Sequence, residues 1–278
     1  MAVKKTVKDI LEMKQNGMKV TMLTAYDVSM ARLLDESNID ILLVGDSLGM
    51  VVLGYDSTVP VTMDEMLHHS RAVSRGTSQA LVVGDMPFGS YQGGLTAAVD
   101  NGIRFMKEAG CDAVKIEGGE DMCNIVRALT RAGVPVMGHV GLTPQTAGRL
   151  GGFKIQGKDL ESAHGMIADA RALEQAGVFS LVLECVPGEL AAIVTDTVEV
   201  PTIGIGAGPE CDGQVLVIND LLGLFDKFTP GFVKKYLDLA PHIKEAVALY
   251  RDEVENGIFP AEEHTFSSKV DYSSLLDD

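Results

Sequence analysis

The chain has 278 residues, 46% of them hydrophobic and 22% charged, the makeup of a folded globular protein rather than a disordered or low-complexity one. Its net charge of −16, from 39 acids against 23 bases, repels phosphate backbones and anionic membrane surfaces, which sets nucleic-acid and membrane binding aside. No apolar run approaches the roughly eighteen residues of a bilayer span, and Cys111, Cys123, Cys185 and Cys211 show no paired spacing, so a cytoplasmic protein with free thiols is expected.

Short apolar, β-branched runs alternate with helical patterns along the chain. After an N-terminal helical segment the order is strand 19–25, helix 29–37, strand 41–45, helix 63–75, strand 80–84, helix 97–108, strand 112–116 and helix 121–132. Strand 134–139, helix 160–175, strand 180–183, helix 189–196, strands 200–205 and 215–218 and a last helix over 240–255 follow. The strands are nearly continuous in apolar residues, the pattern of parallel strands buried on both faces. Gly110, Gly133 and Gly177 stand where a left-handed residue ends a helix. Eight strands alternating with helices predict an α/β fold, a (β/α)8 TIM barrel, with an open doubly wound sheet as the alternative. The barrel domain is expected over residues 1–256. An acidic tail follows over 257–278, and the Gly-rich stretch GRLGGFKIQG (148–157) reads as a functional loop.

A barrel carries its active site at the carboxyl ends of its strands. Those ends here hold Asp46 and Ser47, Asp85, Lys115 and Glu117, His139, and Glu184. A polar residue at a strand end is often only the N-cap of the next helix, but a Lys and a Glu two apart within VKIEG have no such use. Asp46 and Asp85 lie in parallel contexts, LLVGDS and LVVGDM, with Glu117 on the next strand; such an oxygen set suits Mg2+. Mg2+ with open positions chelates a 2-oxo acid and stabilises the enolate formed when a proton leaves the adjacent carbon. Lys115 then neutralises the carboxylate or the oxyanion, and Glu184, after the apolar run SLVL, is the candidate base.

Other motifs point elsewhere. GDSLG (45–49) matches a nucleophile elbow, which needs a helix directly after the Ser; MVVLGYDSTVP reads as non-helical, and no D-x-x-H near the C-terminus completes an esterase. His68 and His69 read as a solvated helix face. GIGAG (204–208) reads as a place of close backbone packing rather than a phosphate loop, since Pro209 follows and the dinucleotide register is missing.

The blocks VGDSLGMVVLGYDSTVPVTMDEMLHHSRAV (44–73), DMPFGSYQ (85–92), VKIEGG (114–119), GHVGLTPQ (138–145), GGFKIQGK (151–158), LECVP (183–187) and IGIGAGPECDGQVLV (203–217) resemble the ketopantoate hydroxymethyltransferases. The resemblance runs over about residues 18–255. It implies a (β/α)8 barrel that uses Mg2+ and 5,10-methylenetetrahydrofolate to convert 3-methyl-2-oxobutanoate to 2-dehydropantoate in pantothenate biosynthesis. It implies metal ligation by Asp46 and Asp85 with Glu117 close by, 2-oxo acid contacts from Asp46, Ser47, Asp85 and Lys115, a pocket histidine at His139, and Glu184 as catalytic base. It also implies a large homo-oligomer, a decamer, and no nucleic-acid or membrane partner. Gly84 departs from the pattern, where an Ala is expected, with little consequence foreseen. The alternatives are a Mg2+-dependent 2-oxo acid aldolase or lyase of the phosphoenolpyruvate-utilising barrel group, and an anion-binding barrel without chemistry.

Overall fold

The computed structural model of the chain describes residues 3–148, 152, 154–225 and 229–276, so four residues of the Gly-rich loop over 148–157 lie outside it. The eight strands are β1 Val20–Thr24, β2 Ile41–Val44, β3 Leu81–Asp85, β4 Ala113–Glu117, β5 Val136–Gly141, β6 Ser180–Glu184, β7 Thr202–Ile205 and β8 Gly213–Leu216. They pair in parallel in chain order, and β8 returns to β1, which closes the barrel. The helices are α1 Val7–Gln15, α2 Val28–Glu36, α3 Leu48–Val51, α4 Met63–Gly76, α5 Leu95–Ala109, α6 Cys123–Arg131, α7 Leu160–Ala176, α8 Gly188–Thr197, α9 Ile218–Leu221 and α10 Leu239–Glu255.

The continuous apolar strands are explained by two cores. Ile41 and Leu43 of β2 and Leu81 and Val83 of β3 face the barrel interior, while Leu42, Val44 and Val82 pack against the surrounding helices. Alternating side chains thus bury both faces of one sheet. Three expectations shift. β5 lies two residues further along the chain than expected, β8 starts two residues earlier than its apolar run, and the one-turn helix α3 follows Ser47 directly, where the sequence read as non-helical.

The amino-terminal end of the barrel is plugged by α1. Its start is a capping box between Thr6 and Asp9, and its buried face sends Ile10 and Met13 into the interior cluster. Lys14 Nζ donates to the carbonyls of Thr195 and Val198 at 2.9 and 2.8 Å and pairs with Asp212 at 2.9 Å. Only the carboxyl end is left for a site.

Gly84 matters more than its departure from the family pattern suggested. A Cβ there would stand 2.7 Å from Cε1 of the fully buried Phe105 on α5. Over-packing a close-packed core forces neighbours off their rotamers. Gly84→Ala is expected to destabilise the fold by about 1–3 kcal/mol, and a second change, Phe105→Leu, to recover part of the loss. Urea denaturation of the two variants checks this; an unaltered midpoint in Gly84→Ala would show that Phe105 yields freely.

At the other extreme, α10 buries no residue. Ile243, Val247, Tyr250 and Val254 form one apolar stripe along it, all exposed. Among the described residues no helix is long and apolar enough to cross a membrane.

Candidate active site

The carboxyl ends of the strands and the turns just after them line a cavity of about 700 Å³. Register does the aligning: Asp85 is level with Lys115, Glu117 with His139, and Gly141 with Glu184. All seven residues singled out from the sequence, Asp46, Ser47, Asp85, Lys115, Glu117, His139 and Glu184, line this one cavity. None acts as a helix cap: Ser47 precedes α3 without a side-chain capping bond. The floor is apolar, with Leu43, Val182, Ile205 and Val215.

The charges are concentrated and buried. Lys115 Nζ lies 2.8 Å from Asp85 Oδ1 and 3.6 Å from Glu117 Oε1. Burial works against the Lys115 charge, but Asp85, Glu117 and Asp46 outweigh it and raise its pKa, so the ammonium stays charged. Burial, followed by the Asp85 and Glu117 charges, holds the Asp46 carboxyl well above the usual carboxylate range. Asp85 is raised as well, first by burial, although Lys115 opposes it. Burial also pushes Glu117 up, but Lys115 and His139 together bring it below its ordinary value.

Lys115 Nζ is also 3.2 Å from His139 Nδ1. An ammonium can only donate, so Nδ1 accepts and the ring proton sits on Nε2. That atom lies 3.2 Å from Glu184 Oε2, though the angle falls outside hydrogen-bond geometry. His139 therefore stands between the lysine and the glutamate, in contact with both.

Three carboxylates against one ammonium leave excess negative charge in a buried place, which a divalent cation would offset. Asp85 Oδ1 is a buried acceptor without a hydrogen bond of good geometry. Among the described residues no group of three or more His, Cys, Asp or Glu side chains converges as a ready metal cage. The donor set fits an ion held by two carboxylates, with waters or substrate oxygens in its other positions, the habit of Mg2+. Glu117 is engaged on both oxygens: Oε1 faces Lys115 and His139, and Oε2 accepts from the Gln145 backbone at 3.0 Å.

Several functional neighbours were not legible in the sequence. Gln145 donates through Nε2 to Asp46 Oδ2 and to the Met86 carbonyl, both at 2.9 Å. Tyr91 bonds Gln145 Oε1 at 2.7 Å. Tyr26 and Ser47 share a hydrogen bond of 2.9 Å between their hydroxyls. His69 is not a solvated residue: its Nδ1 bonds the Tyr26 carbonyl at 2.7 Å, while His68 is exposed. Both Gln145 and His69 lie inside blocks noticed for other reasons, but their partners are brought near only by the barrel.

The helix after Ser47 supplies one element of a nucleophile elbow, yet the hydroxyl is bonded to Tyr26 rather than to a histidine. The GIGAG loop packs closely, as read from the sequence. Gly206 has φ of 62°, and a Cβ there would meet the Phe232 ring at 2.7 Å. From the Gly-rich loop, Lys154 and Ile155 reach the cavity wall.

A closed parallel barrel whose carboxyl-end mouth gathers buried acids around one lysine, with a histidine between it and a further glutamate, defines a (β/α)8 enzyme with its chemistry at that mouth. Comparison with known proteins makes the class specific. The chain belongs to the ketopantoate hydroxymethyltransferase family, whose sequence pattern matches residues 4–262. It is 63% identical over 274 residues to the 3-methyl-2-oxobutanoate hydroxymethyltransferase of Desulfotalea psychrophila, covering 99% of this chain and 98% of that relative. The chain is thus a hydroxymethyltransferase of pantothenate synthesis. Its fold is shared with phosphoenolpyruvate phosphomutase from Streptomyces platensis, with a TM-score of 0.62 at 14% identity over 98% of this chain and 94% of the other. It is also shared with phosphonopyruvate hydrolase, solved in complex with oxalate and Mg2+, with a TM-score of 0.58 at 14% identity over 98% and 96% of the two chains.

Proposed function

We propose that this enzyme transfers a hydroxymethyl group from 5,10-methylenetetrahydrofolate to C3 of 3-methyl-2-oxobutanoate, giving 2-dehydropantoate, with Mg2+ held by Asp46 and Asp85. The observation that carries the reading is the buried excess of carboxylates around Lys115, with Glu184 placed across His139 from it. The oxalate and Mg2+ in phosphonopyruvate hydrolase support it, because oxalate offers two adjacent oxygens as a 2-oxo acid does.

Asp46 and Asp85 would hold Mg2+, which when bound would supply a Lewis acid for the keto oxygen. The chain's own groups do the rest. Lys115, kept charged by Asp85 and Glu117, provides the fixed positive charge for the substrate carboxylate. Ser47, held by Tyr26, offers a hydroxyl to the same end of the substrate. Glu184 takes the proton from C3, and the electron pair left there forms the bond to the methylene carbon of the donor as one of its C–N bonds opens; the second C–N bond then breaks, tetrahydrofolate leaves with its nitrogens protonated, and water supplies the hydroxyl oxygen. Glu117 would stand close to the metal without ligating it directly, since its own oxygens are engaged by Lys115, His139 and the Gln145 N–H. The apolar floor of Leu43, Val182, Ile205 and Val215 receives the two methyl groups.

The decisive assay is formation of 2-dehydropantoate with and without EDTA. Activity is expected to vanish on chelation and to return with Mg2+. Product formation undiminished in EDTA would remove the metal from the reaction.

The reading extends to assembly and place. Four free cysteines, three of them buried, fit a reducing cytoplasm. The exposed apolar stripe of α10 fits burial against a second copy of this chain within a homo-oligomer, a decamer, whose association offsets the repulsion of a net charge of −16. Light scattering at physiological salt is expected to give a particle of several chains, and replacing Val247 and Tyr250 together by Ser to shrink it. A stable monomer of the unaltered chain would contradict the assembly.

A further inference from the structure

We propose that Gln145 is a positioning residue for the metal site: it fixes the Asp46 carboxylate through one oxygen and so leaves the other for the cation. The inference rests on the reading that Asp46 and Asp85 hold Mg2+, and it assigns a role that the seven strand-end residues do not cover.

Gln145 sits in the turn Pro144–Thr146 after β5, and 3% of it is exposed. The turn is tied by a 2.7 Å bond between the hydroxyls of Thr143 and Thr146. From there the side chain reaches across the mouth. One Nε2 hydrogen goes to Asp46 Oδ2 and the other to the Met86 carbonyl just after β3, both at 2.9 Å. Oε1 faces the Tyr91 hydroxyl at 2.7 Å and Gln92 Nε2 at 3.3 Å. The backbone N–H donates to Glu117 Oε2 at 3.0 Å. One residue thus holds carboxylates from two strands.

The orientation of the amide is dictated by its neighbours. The Tyr91 hydroxyl accepts from the Glu117 N–H at 3.1 Å, and its own proton points to Gln145 Oε1, the shorter of its two acceptor contacts. A flipped amide would set Oε1 against Asp46 Oδ2 and the Met86 carbonyl, two acceptors, and leave the Tyr91 proton facing an NH2 group. The chain Glu117 N–H, Tyr91, Gln145, Asp46 therefore runs in one direction, and a donor always faces Asp46. A neutral donor is the fitting choice. It orients the carboxylate without adding the positive charge that would compete with a cation for the same excess of acids.

The probe is Mn2+, followed as the free ion by electron paramagnetic resonance, with thermal melting in EDTA as the control for folding. Gln145→Met keeps the length of the side chain and removes its four polar bonds. It is expected to weaken Mn2+ binding by about 10–100-fold, the usual effect of losing a group that orients a metal ligand. The Mg2+ concentration for half-maximal activity should rise in step, while kcat and the KM for 3-methyl-2-oxobutanoate at saturating Mg2+ stay within a few-fold. Tyr91→Phe, which leaves Gln145 in place but frees its amide to turn, should move Mn2+ affinity in the same direction by less. It decides the matter if Gln145→Met does not fold. Mn2+ affinity unchanged in both variants, or a loss confined to melting temperature, would make Gln145 a packing residue and overturn the proposal. Failure of the unaltered enzyme to bind Mn2+ would overturn it too, and would be recognised as failure of the metal reading because the wild-type control itself would be blank.

Discussion

Glu184→Gln is expected to slow exchange of the C3 hydrogen of 3-methyl-2-oxobutanoate with solvent deuterium by about 10²–10⁴-fold, the usual share of a general base. The glutamine keeps the shape of the side chain and can still face His139, but it cannot take a proton. His139 Nε2 lies 3.2 Å from Glu184 Oε2 but makes no hydrogen bond of good geometry, so the carboxylate is left to the cavity that it lines. Substrate affinity should change little, because Asp46, Asp85 and Lys115 are untouched. Exchange followed by proton NMR without the folate donor isolates this step. Intact exchange with collapsed affinity would make Glu184 a binding group and leave the base unassigned.

Asp85→Asn is expected to lower activity by at least about 100-fold at limiting Mg2+, since even a group behind a metal ligand is worth 10–100-fold in affinity. The fold should survive. Removing one member of a buried pair ordinarily costs about 3–5 kcal/mol because a charge is stranded. Here Lys115 keeps Glu117 at 3.6 Å, and repulsion among the three acids is relieved. Lys115→Met strands those acids instead and should incur the full loss in EDTA. Denaturant melts of both variants, paired with activity against Mg2+ concentration, check the asymmetry. Near-wild-type activity of Asp85→Asn at limiting Mg2+ would overturn the metal assignment.

The barrel was legible because strands such as β2, β3 and β4 are buried on two sides, and such strands leave short apolar runs that stand out from amphipathic helices. The site was legible for a related reason: within those runs a charged residue is conspicuous, and Lys115 and Glu117 inside AVKIE are the clearest case. β8 was misplaced because it begins with Gly213 and Gln214, which carry no apolar signal; Gly213 is needed where the chain packs against Val20. The helix after Ser47 is a single turn, too short for a periodicity to show. Gln145 was invisible for a deeper reason. Its side-chain partners Asp46, Met86 and Tyr91 are 54 to 99 residues away in the chain, and an amide in a Pro-containing turn reads as ordinary loop chemistry. Gly84 shows the converse: its absent side chain is answered by Phe105, a compensation that only packing reveals.

The plug formed by α1 has a kinetic consequence. With Ile10 and Met13 filling the amino-terminal end of the barrel and Lys14 tying down the strand starts, the described residues leave the carboxyl end as the approach to the cavity. In the proposed reaction the 2-oxo acid and the bulkier folate donor would share this approach, so initial-rate patterns are expected to show ordered addition with the acid first; random addition would show that the two reach the cavity independently.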